Sequence, residues 1–183
     1  MKETKDEKAF IERLLNPQTQ DIAYRELVHL YQKPLYNLIR NIVIDHDDAH
    51  DVLQNTFIKI FHYLKNFKRD SKLYSWMYRI ATNESLNFIN ERARKMKISN
   101  EELYQKKVNQ LTEDVYFEGD HIQLQLQKAI ATLPEKQQLV FKMKYFEEIK
   151  YEEMSEILET SVGALKASYH HAVKKIEIFL ESH

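Results

Sequence analysis

Apolar residues recur at helical spacing along most of the chain. Leu27, Val28, Tyr31, Leu35, Leu38, Ile39 and Ile42 share one face of a helix predicted over 22–44. Pro34 lies inside that pattern and is expected to kink or split it, because proline lacks a backbone donor and crowds the preceding turn. Asp45-His46-Asp47-Asp48 follows as an acidic turn, suited to the positive end of the next helix. That helix, at about 48–65, carries a stripe of Leu53, Phe57, Ile60, Phe61 and Leu64. Residues 66–75 are polar and basic and read as a loop. A third helix, at about 74–94, turns Met77, Ile80, Ala81, Phe88 and Ile89 inward.

The pattern fades over 97–121, an acid-biased stretch that reads as a linker. Within it, Ser99 and Glu102 have capping-box spacing and allow a short helix at 100–110. Periodicity returns with Ile122, Leu126, Ala129, Ile130 and Leu133. Pro134 opens a helix over 135–146, where its missing N–H costs nothing. Residues 151–158 form a short pattern, 159–161 a break, and 162–180 a longer pattern. In the last, Leu165, Tyr169, Ala172, Val173, Ile176 and Leu180 share a face. The fold class is therefore all-α: two small helical domains, 1–95 and 122–183, joined by a linker, 96–121. The second domain contains a helix-turn-helix.

Composition narrows the choice. The chain of 183 residues has two glycines and three prolines, where average usage gives roughly 13 and 9. Sandwiches and barrels need many more turn residues. Gly119 and Gly163 stand alone, so a glycine-rich phosphate loop is excluded. There is no cysteine, hence no disulfide, thiolate metal site or cysteine nucleophile. No H-E-x-x-H or G-x-S-x-G motif is present, and the chain offers no catalytic residue and no cofactor site. No apolar run reaches the ~18 residues of a membrane span, and the charged start is unlike a signal peptide. A cytoplasmic protein without membrane insertion is expected.

Charge points to a polyanion. The net charge is −1, but residues 1–96 sum to +3, 97–121 to −3 and 122–183 to −1. All seven arginines precede residue 95, and 65–97 holds nine basic residues against three acidic ones. In 67–95, cations interleaved with Phe67, Tyr74, Trp76 and Tyr78 have the composition of a single-strand-binding surface, although Trp76 and Tyr78 could equally be core. A helix-turn-helix places its second helix in the major groove. Its outward residues here are Ala164, Lys166, Ala167, Ser168, His170, His171 and Lys174; a small bundle with a solvated face explains them equally well. The string DHDDAHD (45–51) puts His46 and His50 one turn apart, but an acidic helix start accounts for it without a metal. Adjacent His170 and His171 diverge on a helix and do not share an ion.

Two segments together resemble a family. ELVHLYQKPLYNLIRNIVIDHDDAHDVLQNTFIKIFHYLKNF…SWMYRIATN resembles domain 2 of extracytoplasmic-function sigma factors of bacterial RNA polymerase. LPEKQQLVFKMKYFEEIKYEEMSEILETSVGALKASYHHAVKKI resembles their domain 4. The resemblance implies a subunit that directs core RNA polymerase to specific promoter DNA, with an anti-sigma factor as a further partner in many members. It implies polymerase-binding roles for Asp51, Gln54, Asn55, Thr56, Phe57 and Lys59, with Asn55 standing where the family usually has Glu. It implies minus-ten recognition and melting by Asp70, Ser71, Lys72, Arg79 and Asn83, and Lys68, Arg69 and Tyr74 of the same basic loop are further candidates for DNA contact. It implies minus-35 reading by Lys166, Ser168, His170, His171 and Lys174, with Ser168 and His171 where Arg is common. Elements two DNA turns apart are ~70 Å apart, so a linker of this length would have to be held extended between them. The rival readings are a repressor or activator that binds DNA alone, and a helical adaptor.

Overall fold

The computed structural model describes residues 5–113 and 120–182, and every regular element among them is helical. The first unit comprises α1 (Lys5–Leu15), α2 (Gln20–Val43), α3 (His46–Tyr63), α4 (Leu73–Met96) and α5 (Asn100–Asn109). The second comprises α6 (His121–Ala131), α7 (Glu135–Tyr145), α8 (Tyr151–Leu158) and α9 (Val162–Ser182).

Helix α2 runs as one element through Pro34 and is not split there. Proline costs one intrahelical bond, whereas Leu27, Leu35, Leu38, Ile39 and Ile42 are all buried on one face of the same helix. Tertiary burial outweighs one lost bond. Helix α1 is absent from the expected pattern, yet Ile11 and Leu14 are fully buried in the core. Its Glu7 carboxylate accepts the backbone N–H of Leu73 and so caps the start of α4.

Asp45 caps α3 by accepting the Asp48 backbone N–H at 2.9 Å. Desolvation pushes the Asp45 carboxyl up. That hydrogen bond and the cations Lys107, Arg40 and Arg92 outweigh it and hold the group below its ordinary value. One turn into α3, Asp48 is buried and paired with both Arg92 of α4 and Lys107 of α5. The capping box at Ser99 and Glu102 is formed in full and starts α5. The segment after α4 is not extended here. Leu103, Tyr104, Val108 and Leu111 are buried, with α5 packed against both α4 and α6, because these apolar residues and the Lys107–Asp48 pair outweigh the acidic solubility of the stretch. Gly119 lies outside the described residues.

In the second unit, Ala129, Ile130, Leu133, Phe141, Ala172 and Ile176 form a compact core between α6, α7 and α9. Phe141 stacks on Tyr169 with centroids 5.7 Å apart. Leu180 is 41% exposed rather than inward, since α9 runs on past its last buried residue, Ile176.

Removing one partner of a buried ion cluster strands the other. Asp48→Ala is expected to destabilise the protein by about 3–5 kcal/mol, read by urea unfolding. A loss below about 1 kcal/mol, that of an exposed pair, would show the cluster to be solvated.

Candidate nucleic-acid interface

The loop between α3 and α4 is anchored at Phe67, which is buried and tilted against Trp76 at 5.1 Å. Lys68, Arg69 and Asp70 project beyond this anchor into solvent. Arg69 has φ 60°, the left-handed region, which turns the chain sharply at the tip. Ser71 and Lys72 are half-buried, with Lys72 at the amino end of α4. Tyr74 is half-buried and its ring lies tilted against Tyr78 with centroids 4.0 Å apart. Burial pushes the Tyr74 phenol up to about 12, so it stays neutral. Tyr74 thus sits within α4 against Tyr78, and Trp76 and Tyr78 pack against the core. Asn83 is exposed one turn beyond Arg79.

The helix-turn-helix is formed by α8 and α9. Glu159 takes a left-handed φ of 50° to end α8. Thr160 donates to the Leu158 carbonyl at 3.0 Å, and Ser161 Oγ accepts the Ala164 N–H at 3.3 Å to start α9. Leu165 is buried beneath the turn, while Lys166, His170, His171 and Lys174 are exposed and Ser168 is half-buried. The Lys166 ammonium lies 5.7 Å from the centre of the Tyr151 ring. Gly163 has open space where a Cβ would sit, so the protein's own packing does not require glycine there.

On α3, Asp51, Gln54 and Asn55 are exposed. Phe57 is half-buried and its carbonyl accepts the Tyr24 hydroxyl; Lys59 is paired with Glu84 at 2.6 Å. Thr56 is corrected: it is fully buried and its hydroxyl donates to the Val52 carbonyl at 2.7 Å, so it presents nothing to a partner. His46 and His50 join an aromatic cluster. His46 Nδ1 bonds the Tyr36 hydroxyl at 2.7 Å, and the two imidazoles lie 4.6 Å apart. Among the described residues no group of three His, Cys, Asp or Glu side chains could hold a metal. No helix among them is long and apolar enough to cross a membrane.

The two units touch. Lys72 pairs with Glu153 at 2.9 Å and Arg79 with Glu159 at 2.8 Å, joining α4 to α8. Asn41 donates to Glu147 at 2.6 Å, and burial raises the Glu147 carboxyl. Lys142 of α7 is 3% exposed, its ammonium 4.6 Å from the centre of the Tyr104 ring on α5. Desolvation pushes that lysine down to about 7. None of the acidic partners on α8 was singled out from sequence. Their signal was available, since Glu153, Glu156 and Glu159 recur every three residues on a short helix.

A basic loop on one helical unit and a helix-turn-helix on a second define a promoter-reading transcription protein. Family models agree: Sigma-70 region 2 matches residues 27–95 and Sigma-70, region 4 matches 123–176. The RNA polymerase sigma-H factor of Pseudomonas aeruginosa is 30% identical over 176 residues, covering 87% of this chain and 86% of that protein. The ECF RNA polymerase sigma-E factor of Haemophilus influenzae is 26% identical, covering 97% and 96%. The ECF RNA polymerase sigma factor SigW of Bacillus subtilis is 28% identical, covering 81% and 83%. Two solved structures share the fold. CnrH, in complex with the cytosolic domain of CnrY, has a TM-score of 0.69 at 20% identity and covers 97% of each chain. The Bartonella quintana sigma factor RpoE, in complex with the anti-sigma factor NepR, has a TM-score of 0.65 at 19% identity, covering 86% of this chain and 96% of that one. The chain belongs to the sigma-70 family, in its extracytoplasmic-function class, whose members direct RNA polymerase to promoters as transcription initiation factors. A repressor or activator acting alone is not favoured.

Lys142 tests the contact between the units. Between about 7 and the ordinary lysine value of 10.5, the unfolded chain holds a proton that the folded chain has lost. Stability therefore rises with pH through that window. Lys142→Met should raise stability at neutral pH by about 1–4 kcal/mol and flatten this rise, as urea unfolding at a series of pH values will show.

Proposed function

We propose that the two units divide promoter recognition between them, the first melting and capturing the minus-ten element and the second reading the minus-35 element. The observation that carries this reading is the pairing, on one chain, of an exposed basic loop with a capped helix-turn-helix whose outer face is solvent-exposed. Lys68, Arg69 and Asp70 are exposed at the loop tip, Ser71 and Lys72 lead into α4, and Arg79 and Asn83 continue the surface along it. Cations there would follow the phosphates while polar groups hold an unpaired base. Lys166, Ser168, His170, His171 and Lys174 line the face of α9 that would enter the major groove. Gly163 supports that placement, because an exposed helical glycine sacrifices stability with no packing return and leaves room for close backbone approach.

Core polymerase would dock on the exposed side of α3 through Asp51, Gln54, Asn55 and Lys59, with Phe57 at its edge. The protein would act without catalysis of its own, in the cytoplasm, where polymerase and promoter meet. A relative in fold was captured with an anti-sigma factor, so a protein inhibitor of that kind is the expected further partner.

Run-off transcription with purified core polymerase on genomic promoters tests the reading; absence of specific initiation on every promoter would sink it. Lys72→Glu with Arg79→Glu should reduce promoter opening far more than polymerase affinity, whereas Asp51→Ala with Gln54→Ala should do the reverse. Gly163→Ala should stabilise the free protein by up to about 1 kcal/mol and weaken binding to the minus-35 element. Unchanged binding would place α9 away from the groove.

A further inference from the structure

The basic residues of α9 are lysines and histidines alone. The helix holds no arginine, and Lys166, His170, His171 and Lys174 are all exposed on its outer face. His170 lies one turn from each of these lysines, and the two imidazole centroids are 6.0 Å apart. Among the described residues neither imidazole has a hydrogen bond or an ion pair. We propose that α9 takes up protons at His170 and His171 when it binds DNA, so that its grip on the minus-35 element tightens as pH falls through the imidazole range. The inference rests on the assignment of α9 to the major groove.

A neutral imidazole carries one donor and one acceptor; a protonated one carries a unit charge and donates at both nitrogens. Only the second form neutralises a phosphate and releases its counterion. Nothing in the protein competes for that charge. On α9 the carboxylates, Glu177 and Glu181, lie more than a turn beyond either histidine. On α8, Glu153 and Glu159 are paired with Lys72 and Arg79 of α4, and Glu156 keeps a carboxylate oxygen buried. Tyr151 of α8 meets Tyr169 edge-on. On α7, Glu135 accepts from Asn100, Lys142 faces Tyr104 and Lys144 bonds the Ile149 carbonyl. Glu152 of α8, Lys136 of α7, and His121 and Lys128 of α6 make no bond to either ring. Duplex DNA therefore supplies the first anion that either ring meets. A phosphate beside an imidazole favours its charged form, so the complex holds protons that the free chain has released at neutral pH. Binding then strengthens as pH falls and weakens as it rises. Imidazoles change charge near ~6.5. A hold on the proton that is about tenfold firmer in the complex gives about a sixfold gain in affinity per histidine between about pH 8 and about pH 6.

The test uses the full chain and a short random-sequence DNA duplex at low salt, with affinity read by fluorescence anisotropy at both pH values and helix content followed by circular dichroism. The expected gain on lowering the pH is between about sixfold, for one histidine on a phosphate, and about 36-fold, for both. His170→Gln with His171→Gln should lose this gain. That variant keeps Lys142, so a pH response arising at the contact between the units persists in it. His170→Arg with His171→Arg should bind at about pH 8 as tightly as the unaltered chain does at about pH 6, because guanidinium is charged at both. Lys166→Gln with Lys174→Gln should weaken binding at both pH values. A gain that survives in the glutamine variant overturns the inference. So does the absence of a gain in the unaltered chain while the lysine variant binds weakly, and the assignment of α9 to DNA then stands. A lysine variant that binds as tightly as the unaltered chain overturns that assignment, and the inference with it.

Discussion

A carboxylate taken out of water at the start of a helix must find its cations in the fold itself, and Asp48 finds two. Arg92 reaches it from α4 and Lys107 from α5. Three helices are thereby tied to one buried charge. Separating α3 from α5 would strand Asp48 and Lys107, both buried, and the penalty for that exceeds the worth of the pair itself. The pairing decides where α5 lies, and α5 in turn carries Tyr104 to the position where it meets Lys142 of the second unit. An acidic residue read from sequence as helix-start decoration is thus the node from which the relation between the two units follows.

The same logic explains how the first unit presents the residues proposed to meet DNA. Glu7 caps α4, Phe67 pins the loop against Trp76, and Tyr74 packs on Tyr78. Aromatics placed among cations suggested a stacking surface. Those at Phe67, Tyr74 and Tyr78 instead form the rigid backing for an exposed polar tip. Preorganisation of that tip is what capture of an unpaired base requires, because a loose loop would lose ordering entropy on binding.

Helix positions were legible because amphipathic spacing is strong and the chain has few interrupting glycines or prolines. The helix-turn-helix, the capping box at Ser99 and the helix after Pro134 all fall where the pattern put them. What escaped are features that depend on residues far apart. Thr56 reads as a surface polar residue, yet a threonine hydroxyl can satisfy itself on its own helix at Val52 and be buried. Nothing in the local pattern marks Lys107 or Lys142, yet both are buried, one beside a carboxylate and one over a ring. Helix α1 is short, and its two buried residues, Ile11 and Leu14, make too brief a stripe to stand out. The linker's acidity masked four apolar residues that dock it. Local pattern reports which face is inward, not which distant charge it will meet.

Electrical neutrality has a physical reading in a protein of this class. Phosphate contacts supply most non-specific affinity for DNA, and that affinity scales with the number of cations that can reach the backbone. Every arginine here precedes residue 95, and the second unit carries a net −1. On the proposed reading, α9 would discriminate with lysine, serine and histidine, which offer hydrogen bonds but little grip. A reader of that kind dwells briefly on random DNA and becomes effective only when another molecule supplies the binding energy and holds both units in register. Weak, separately incomplete units on one chain are the composition expected of a specificity subunit that works by assembly with a polymerase, whereas a protein that binds operators alone would need the arginines that α9 lacks.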